Sequence, residues 1–278
     1  MLFQRFFVRT VVLAAMWAAF AGPSNAAETK TLWFVPPASN PTQQGFIRIS
    51  NQTEMAEQVS FFGIDDAGQI SQGSASFTLQ PFESKQFNST DIELGNPAKG
   101  LTGALGIGSG NWRIELQASG QIVASALIRT TTGFLTSVQD PDVNKVDLSI
   151  LFRFPMVNPG GNPNQVSILR FVNPSSATAN VLIVASDDSG VPHGPLTLTI
   201  APQQAVQLLS SELESGAIDK GLSGALGDGV GKWFISARSN IPIKVLNLLF
   251  DPNGFISELP SESKALTDLI SADLQQGA

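Results

Sequence analysis

Two pairs of adjacent aspartates, Asp65-Asp66 and Asp187-Asp188, each stand just ahead of a glycine, Gly68 and Gly190. Clustered carboxylates are the chemistry of calcium, a hard cation that collects about six to eight oxygen ligands. Neither EF-hand nor nonapeptide spacing is present. A calcium site would therefore need Asp91 and Glu93 to converge on Asp65 and Asp66 from elsewhere in the fold. The competing reading is a tight turn, in which Asp accepts backbone hydrogen bonds and Gly takes a positive φ.

Other reactive constellations are scarce. The chain has no cysteine, which removes thiolate nucleophiles, disulfides and cysteine-ligated metals. One histidine, His193, cannot build a multi-histidine metal site, and any Ser–His–Asp triad would have to use it; no G-x-S-x-G occurs. His193 lies in a Pro-Gly-rich VPHGP stretch that reads as a solvated turn. Two-carboxylate glycosidase chemistry needs only Asp and Glu, but nothing marks a raised-pKa acid. Gly231-Lys232 mimics the end of a phosphate loop. Leu226 stands where the first glycine belongs, though, and Trp233 where Ser or Thr should hold magnesium. No enzyme activity, catalytic residue or cofactor is expected. With 16 Lys and Arg against 23 Asp and Glu, the chain also lacks the basic surface that nucleic acid demands.

Trp112 and Trp233 open apolar runs after glycine-rich loops, where they would fill a core or, if exposed, stack on a sugar. The core reading is favoured. Arg48 and Arg170 sit inside strand-like runs, each followed three residues later by Asn; bridging a carboxylate or loop carbonyls is their simplest role.

The elements that must position these residues come twice. Shifted by 122 and, after one deletion, 121 residues, the chain aligns with itself: Asn40-Pro41 on Asn162-Pro163, Arg48 and Asn51 on Arg170 and Asn173, and KGLTGALGIGSGNW (99–112) on KGLSGALGDGVGKW (220–233). Each copy of about 110–115 residues has the size of one domain. Copy one offers strand-like runs at 31–36, 45–50, 58–64, 76–80, 84–88, 111–118 and 121–130. Copy two offers VSILRFV, NVLIVAS, LTLTI, AVQLL, KWFISAR and IPIKVLNLLF. No helical segment long enough for a doubly wound fold intervenes. The expected fold is all-β, two tandem immunoglobulin-like antiparallel sandwiches over 27–140 and 141–260. Each would carry one short helical turn, capped by Thr90-x-x-Glu93 or Ser211-x-x-Glu214 and stopped at Gly95 or Gly216. The tail, 261–278, has Leu266, Leu269 and Ile270 at helical spacing and is either a short helix or frayed.

Residues 1–26 read as a secretory signal peptide: Arg5 and Arg9, the apolar run Val11–Ala21, then small residues inviting cleavage after Ala26 or Ala27. The run is too short to span a bilayer, which takes about 20 residues. Cleavage removes two arginines and no acid, taking the net charge from -7 to -9. An outer-membrane barrel would be expected to carry girdles of Tyr and Trp, and the chain has no Tyr. A secreted or periplasmic protein without stable membrane insertion is expected.

The series FxRxxN, DDxG, NSxDxExGNxxKGL, GxGxGxWR and RTxTGFLT is carried by Phe46, Arg48 and Asn51, by Asp65, Asp66 and Gly68, by Asn88 to Leu101, by Trp112 and Arg113, and by Arg129 to Leu135. It resembles an uncharacterised tandem β-sandwich repeat module of secreted bacterial proteins. Copy two departs from it at Leu209, Ala217, Phe234, Phe250 and Asp251. The resemblance implies an extracellular or surface role without catalysis. The expected function is thus a non-catalytic interaction or structural module whose partner is a protein or polysaccharide at the cell surface or in the periplasm. A calcium-dependent carbohydrate-binding protein and a periplasmic chaperone-like protein are the alternatives.

Overall fold

A computed structural model describes residues 27–138, 148–259 and 261–264. The expected signal peptide, residues 139–147 around the boundary between the two expected sandwiches, and most of the tail lie outside the described residues. The fold is all-β and sandwich-like, as the alternating apolar runs predict. The first half packs two antiparallel sheets face to face. One has the order β1 (Glu28–Val35), β7 (Trp112–Ala118), β3 (Glu57–Ile64), β4 (Ala75–Leu79), β6 (Thr102–Gly103). The other runs β5 (Ser84–Asn88), β2 (Gln43–Asn51), β8 (Ile122–Thr130), β9 (Leu135–Ser137). Inward residues at every second position, such as Ile47 and Ile49 of β2 and Ile114 and Leu116 of β7, meet in one core with Phe61, Phe77 and Trp112.

The second half repeats this order with one change. Strands β10 (Ser149–Val157), β12 (Ala179–Asp187), β13 (Pro192–Ile200) and β15 (Leu222–Ser223) belong to one sheet, and β11 (Val166–Val172) and β14 (Ala205–Leu209) to the other. The runs KWFISAR and IPIKVLNLLF, which the sequence suggests as two strands, are a single 18-residue strand, β16 (Trp233–Phe250). Its first part pairs with β10 and β12, its last part with β11 and with β17 (Ile256–Glu258). In the first half Ser119-Gly120-Gln121 breaks the same path into β7 and β8; Asn240-Ile241-Pro242 turns the corner without leaving the strand. From the tail, Glu262–Lys264 forms a short strand, β18, on β10; Leu266, Leu269 and Ile270, which carry the helical spacing, lie outside the described residues.

Each half carries one short helix, α1 (Ser89–Leu94) and α2 (Ser210–Ser215), ended by Gly95 and Gly216. The capping box falls two residues earlier than the Thr90-x-x-Glu93 reading. Asn88 caps, its side chain accepting from Asp91 N at 2.8 Å while Asp91 accepts from Asn88 N at 2.9 Å. In α2 Leu209 has no side-chain acceptor, so only the return bond survives, from Leu209 N to Glu212 at 2.8 Å. The later glutamates, Glu93 and Glu214, are thereby released for another task.

The halves touch through a third cluster that includes Trp33, Phe34 and Ile128 from the first and Val172, Leu246 and Leu248 from the second. The loop end of the first sandwich, where β1, β3 and β8 finish, seats against the outward face of the β14-β11-β16 sheet. Phe134 meets Phe255 edge-on across this junction at 4.6 Å, and Gln43 donates to Gly254 O at 3.0 Å.

Candidate functional site

The four calcium candidates are distributed over two structural tasks. Asp65 closes its own turn, accepting from Gln69 N at 2.8 Å and Ser109 N at 2.9 Å. Asp66 accepts from Asn111 N at 2.8 Å and pairs with Arg170 of the second half at 2.7 Å. Asp91 is held by Asn88, Asn96 and Lys99. Burial pushes its carboxyl up, but the bonds from Asn96, Lys99 and Asn88 outweigh this and hold it below the usual range. Glu93 is buried and accepts from the Trp112 indole at 2.8 Å and Ala38 N at 3.1 Å. Among the described residues no group of three or more His, Asp or Glu is arranged to hold a metal ion. The turn reading holds for Asp65; Asp66 adds the ion pair to Arg170, and Glu93 serves the Trp112 indole.

Glu214 repeats the Glu93 arrangement, accepting from the Trp233 indole at 2.8 Å. Both tryptophans are buried, and in each half the helix supplies a carboxylate to the one polar atom of the largest core side chain. The core reading of Trp112 and Trp233 stands.

The two arginines, equivalent in sequence, do different things. Arg170 is 1% exposed, stacked over the Phe34 ring at 5.2 Å and bound to Asp66 and to Gln207 at 3.3 Å. Bridging a carboxylate was the expected role; the partner, from the other half, is what the sequence could not name. Arg48 is exposed on the open face of β2. Arg113, which the sequence marks only as part of the GxGxGxWR motif, completes the junction. It is 3% exposed, bonded to Gln203 of the second half and 3.1 Å from Glu115. Burial lowers the guanidinium pKa, Glu115 opposes this, and the neighbouring Arg170 charge adds to it. Asn111 reaches Gln207 at 3.2 Å, and Ala205 N donates to Asp66 O at 3.1 Å. The junction is thus a small polar set bordered by aromatic rings.

His193 is not a solvated turn residue. Strand β13 begins earlier than its apolar run suggests, and its ring is 15% exposed, edge-on to Trp233 at 4.8 Å. Nδ1 lies 3.0 Å from Leu226 O and Nε2 3.5 Å from Asp187 Oδ2. Asp187 also accepts from Ser189 Oγ and from the amides of Val230, Val191 and Ser189. These bonds, the Ser189 hydroxyl foremost, hold its carboxyl far below the usual carboxylate range.

His193 forms one wall of an open groove of ≈ 450 Å³ with Pro192, Pro195, Val184 and Phe234. Leu182, Val184, Val191 and Phe234 project outward beside it, each 42–49% exposed. At the aligned positions of the first half stand Ser60, Phe62, Gln69 and Arg113, of which only Phe62 is apolar. Contiguous exposed apolar side chains on a soluble fold mark contact surfaces. A second open groove, ≈ 350 Å³, lies between Pro37, Asn40, Gln44, Thr90 and Arg129 and is more polar.

Comparison with protein-family models finds no match, and neither does comparison with curated proteins. Among solved structures the chain is similar to the Anabaena sensory rhodopsin transducer, at 16% identity over 47% of this chain and 99% of that one, with a TM-score of 0.28. That likeness is too low to carry an argument about fold or function.

Proposed function

We propose that the protein is an exported, non-catalytic interaction module, whose contact surface lies on the second half. The observation that carries this reading is the apolar face of Leu182, Val184, Val191 and Phe234 beside the His193 groove. The carboxylates described above and His193 are committed to turns, caps and buried indoles, which suits a scaffold better than a reaction centre. Export rests on the Arg5/Arg9 and Val11–Ala21 pattern. The test is expression of the tagged full chain, fractionation, N-terminal mass analysis and affinity capture. Cleavage after Ala26 or Ala27 and capture lost in Leu182→Glu with Val184→Glu are expected. Retention of the uncleaved chain in the cytoplasm, or capture indifferent to these changes, would overturn the reading.

A further inference from the structure

The junction between the halves is one-directional. The loop end of the first half, bearing Asp66, Asn111 and Arg113, sits on the sheet face of the second, bearing Arg170, Gln207 and Gln203. Because the two halves align, each partner in this contact has a counterpart at the other end of the molecule. Asp188, Lys232 and Phe234 occupy the places of Asp66, Asn111 and Arg113 on the second half's loop end. Arg48, Gln86 and Phe82 occupy those of Arg170, Gln207 and Gln203 on the first half's sheet face. All six are exposed.

The charge complementarity survives the transfer, whereas Val172, Ala205 and Leu246 of the junction's apolar cluster are replaced by Ser50, Ser84 and Ser125 on the first half's face. Asp188 faces solvent with only the Lys232 amide on its carboxylate, at 2.8 Å, and Arg48 stands without an acid beside it among the described residues. These two would reproduce the Asp66–Arg170 pair. Met156 takes the place of Phe34, ready to lie under Arg48 as Phe34 lies under Arg170. Most telling is the third pair. Inside the chain it is the hydrogen-bonded couple Arg113 and Gln203; at the two ends both members have become phenylalanine. Phe234 is 42% exposed and Phe82 65%. Phe82 also holds a backbone φ of 57°, matching the 64° of Gln203. An aromatic side chain in that left-handed conformation is costly unless the turn is needed as built. A polar couple exchanged for an apolar couple keeps the contact matched, whereas either change alone would not.

We propose that a second copy of this chain docks its Arg48 sheet face on the Asp188 loop end of the first, reusing between molecules the contact that joins the halves within one. A head-to-tail contact does not close on itself as an isologous dimer does, so assembly continues into rings or open chains. The inference rests on the interaction-module reading and adds a contact that shares Phe234 with the Leu182–Val184 face.

Sedimentation velocity on purified mature chain, residues 27–278, tests it. Wild type is expected to add mass in steps of one chain as concentration rises. Arg48→Asp and Asp188→Arg change exposed side chains, and each alone should leave folded monomer, with unchanged circular dichroism. Mixed in equal amounts they offer the native pairing in one direction, the Asp188 end of the first variant on the Arg48 face of the second, and the charge-exchanged pairing in the other, and should assemble as wild type does. The doubly exchanged chain should assemble again. Wild type that stays monomeric up to its solubility limit, or stops at a dimer, overturns the proposal, as does a mixture that stays monomeric. If wild type is monomeric while affinity capture still retrieves another protein, only the self-association fails and the interaction-module reading survives.

Discussion

Arg170 and Arg48 are an internal control for the value of the junction, since the same residue type stands at equivalent strand positions with opposite surroundings. Replacing Arg170 by Met keeps the stem but strands Asp66 at the junction. Breaking a buried ion pair costs about 3–5 kcal/mol. Asp66 is 23% exposed, so water recovers part of its solvation and the lower figure, about 2–3 kcal/mol, is expected. Equilibrium unfolding in urea at dilute protein concentration reads this as a fall of about 1 M or more in midpoint, for a slope of about 2 kcal/mol per M. Arg48→Met touches no buried partner and should stay within about 0.5 kcal/mol of wild type. Combining Arg170→Met with Asp66→Leu removes both charges and should return at least half of the loss, because an apolar replacement of a buried pair is often neutral. Equal effects at the two arginines, or a double variant no better than the single, would refute the assignment.

Glu93→Leu leaves the Trp112 indole without an acceptor and should cost about 2–4 kcal/mol. Adding Trp112→Phe should remove the orphan donor, so that the pair is less destabilising than the sum of its members in a thermal-melt cycle. Asp187 has a folded pKa below its unfolded value of about 3.9, so its contribution is complete above that value and lost as pH falls below it through the folded one. The thermal midpoint of Asp187→Asn should accordingly approach that of wild type in acid and fall short of it at neutral pH. Gly231 has φ of 74°, and a Cβ there would lie 2.2 Å from Asp188 Oδ2, whereas Gly190, at 81°, has open space around it. Gly231→Ala should therefore lower the melting temperature more than Gly190→Ala. Calcium or EDTA should leave the melting temperature unchanged, because Asp65, Asp66, Asp91 and Glu93 are saturated with protein donors; a clear rise with calcium would contradict this.

Strand runs were legible because alternation is a local property: Ile47-Arg48-Ile49 and Ile114-Glu115-Leu116 advertise their faces directly. Strand β10 escaped notice because Pro155 interrupts its pattern and its edge is completed by β18, about 110 residues further on. The fusion of two runs into β16 depends on a corner geometry that Asn240-Ile241-Pro242 does not announce. The shifted caps follow from competition: Glu93 satisfies either the helix or the indole, and only the fold reveals which. Junction chemistry was the least legible. Arg170 and Arg48 look alike in sequence, and their difference arises from what lies 104 positions upstream of Arg170, at Asp66.

The unbroken course of β16 gives the second sandwich a mechanical character the first lacks. A cut at Ser119-Gly120-Gln121 would leave β7 and β8 each whole, though it would disturb the bonds of the Ser119 hydroxyl to Glu57 and to Gln58 N. The same operation at Asn240–Pro242 would sever the one strand that both sheets share. The second half should therefore resist protease and pulling force as a single unit.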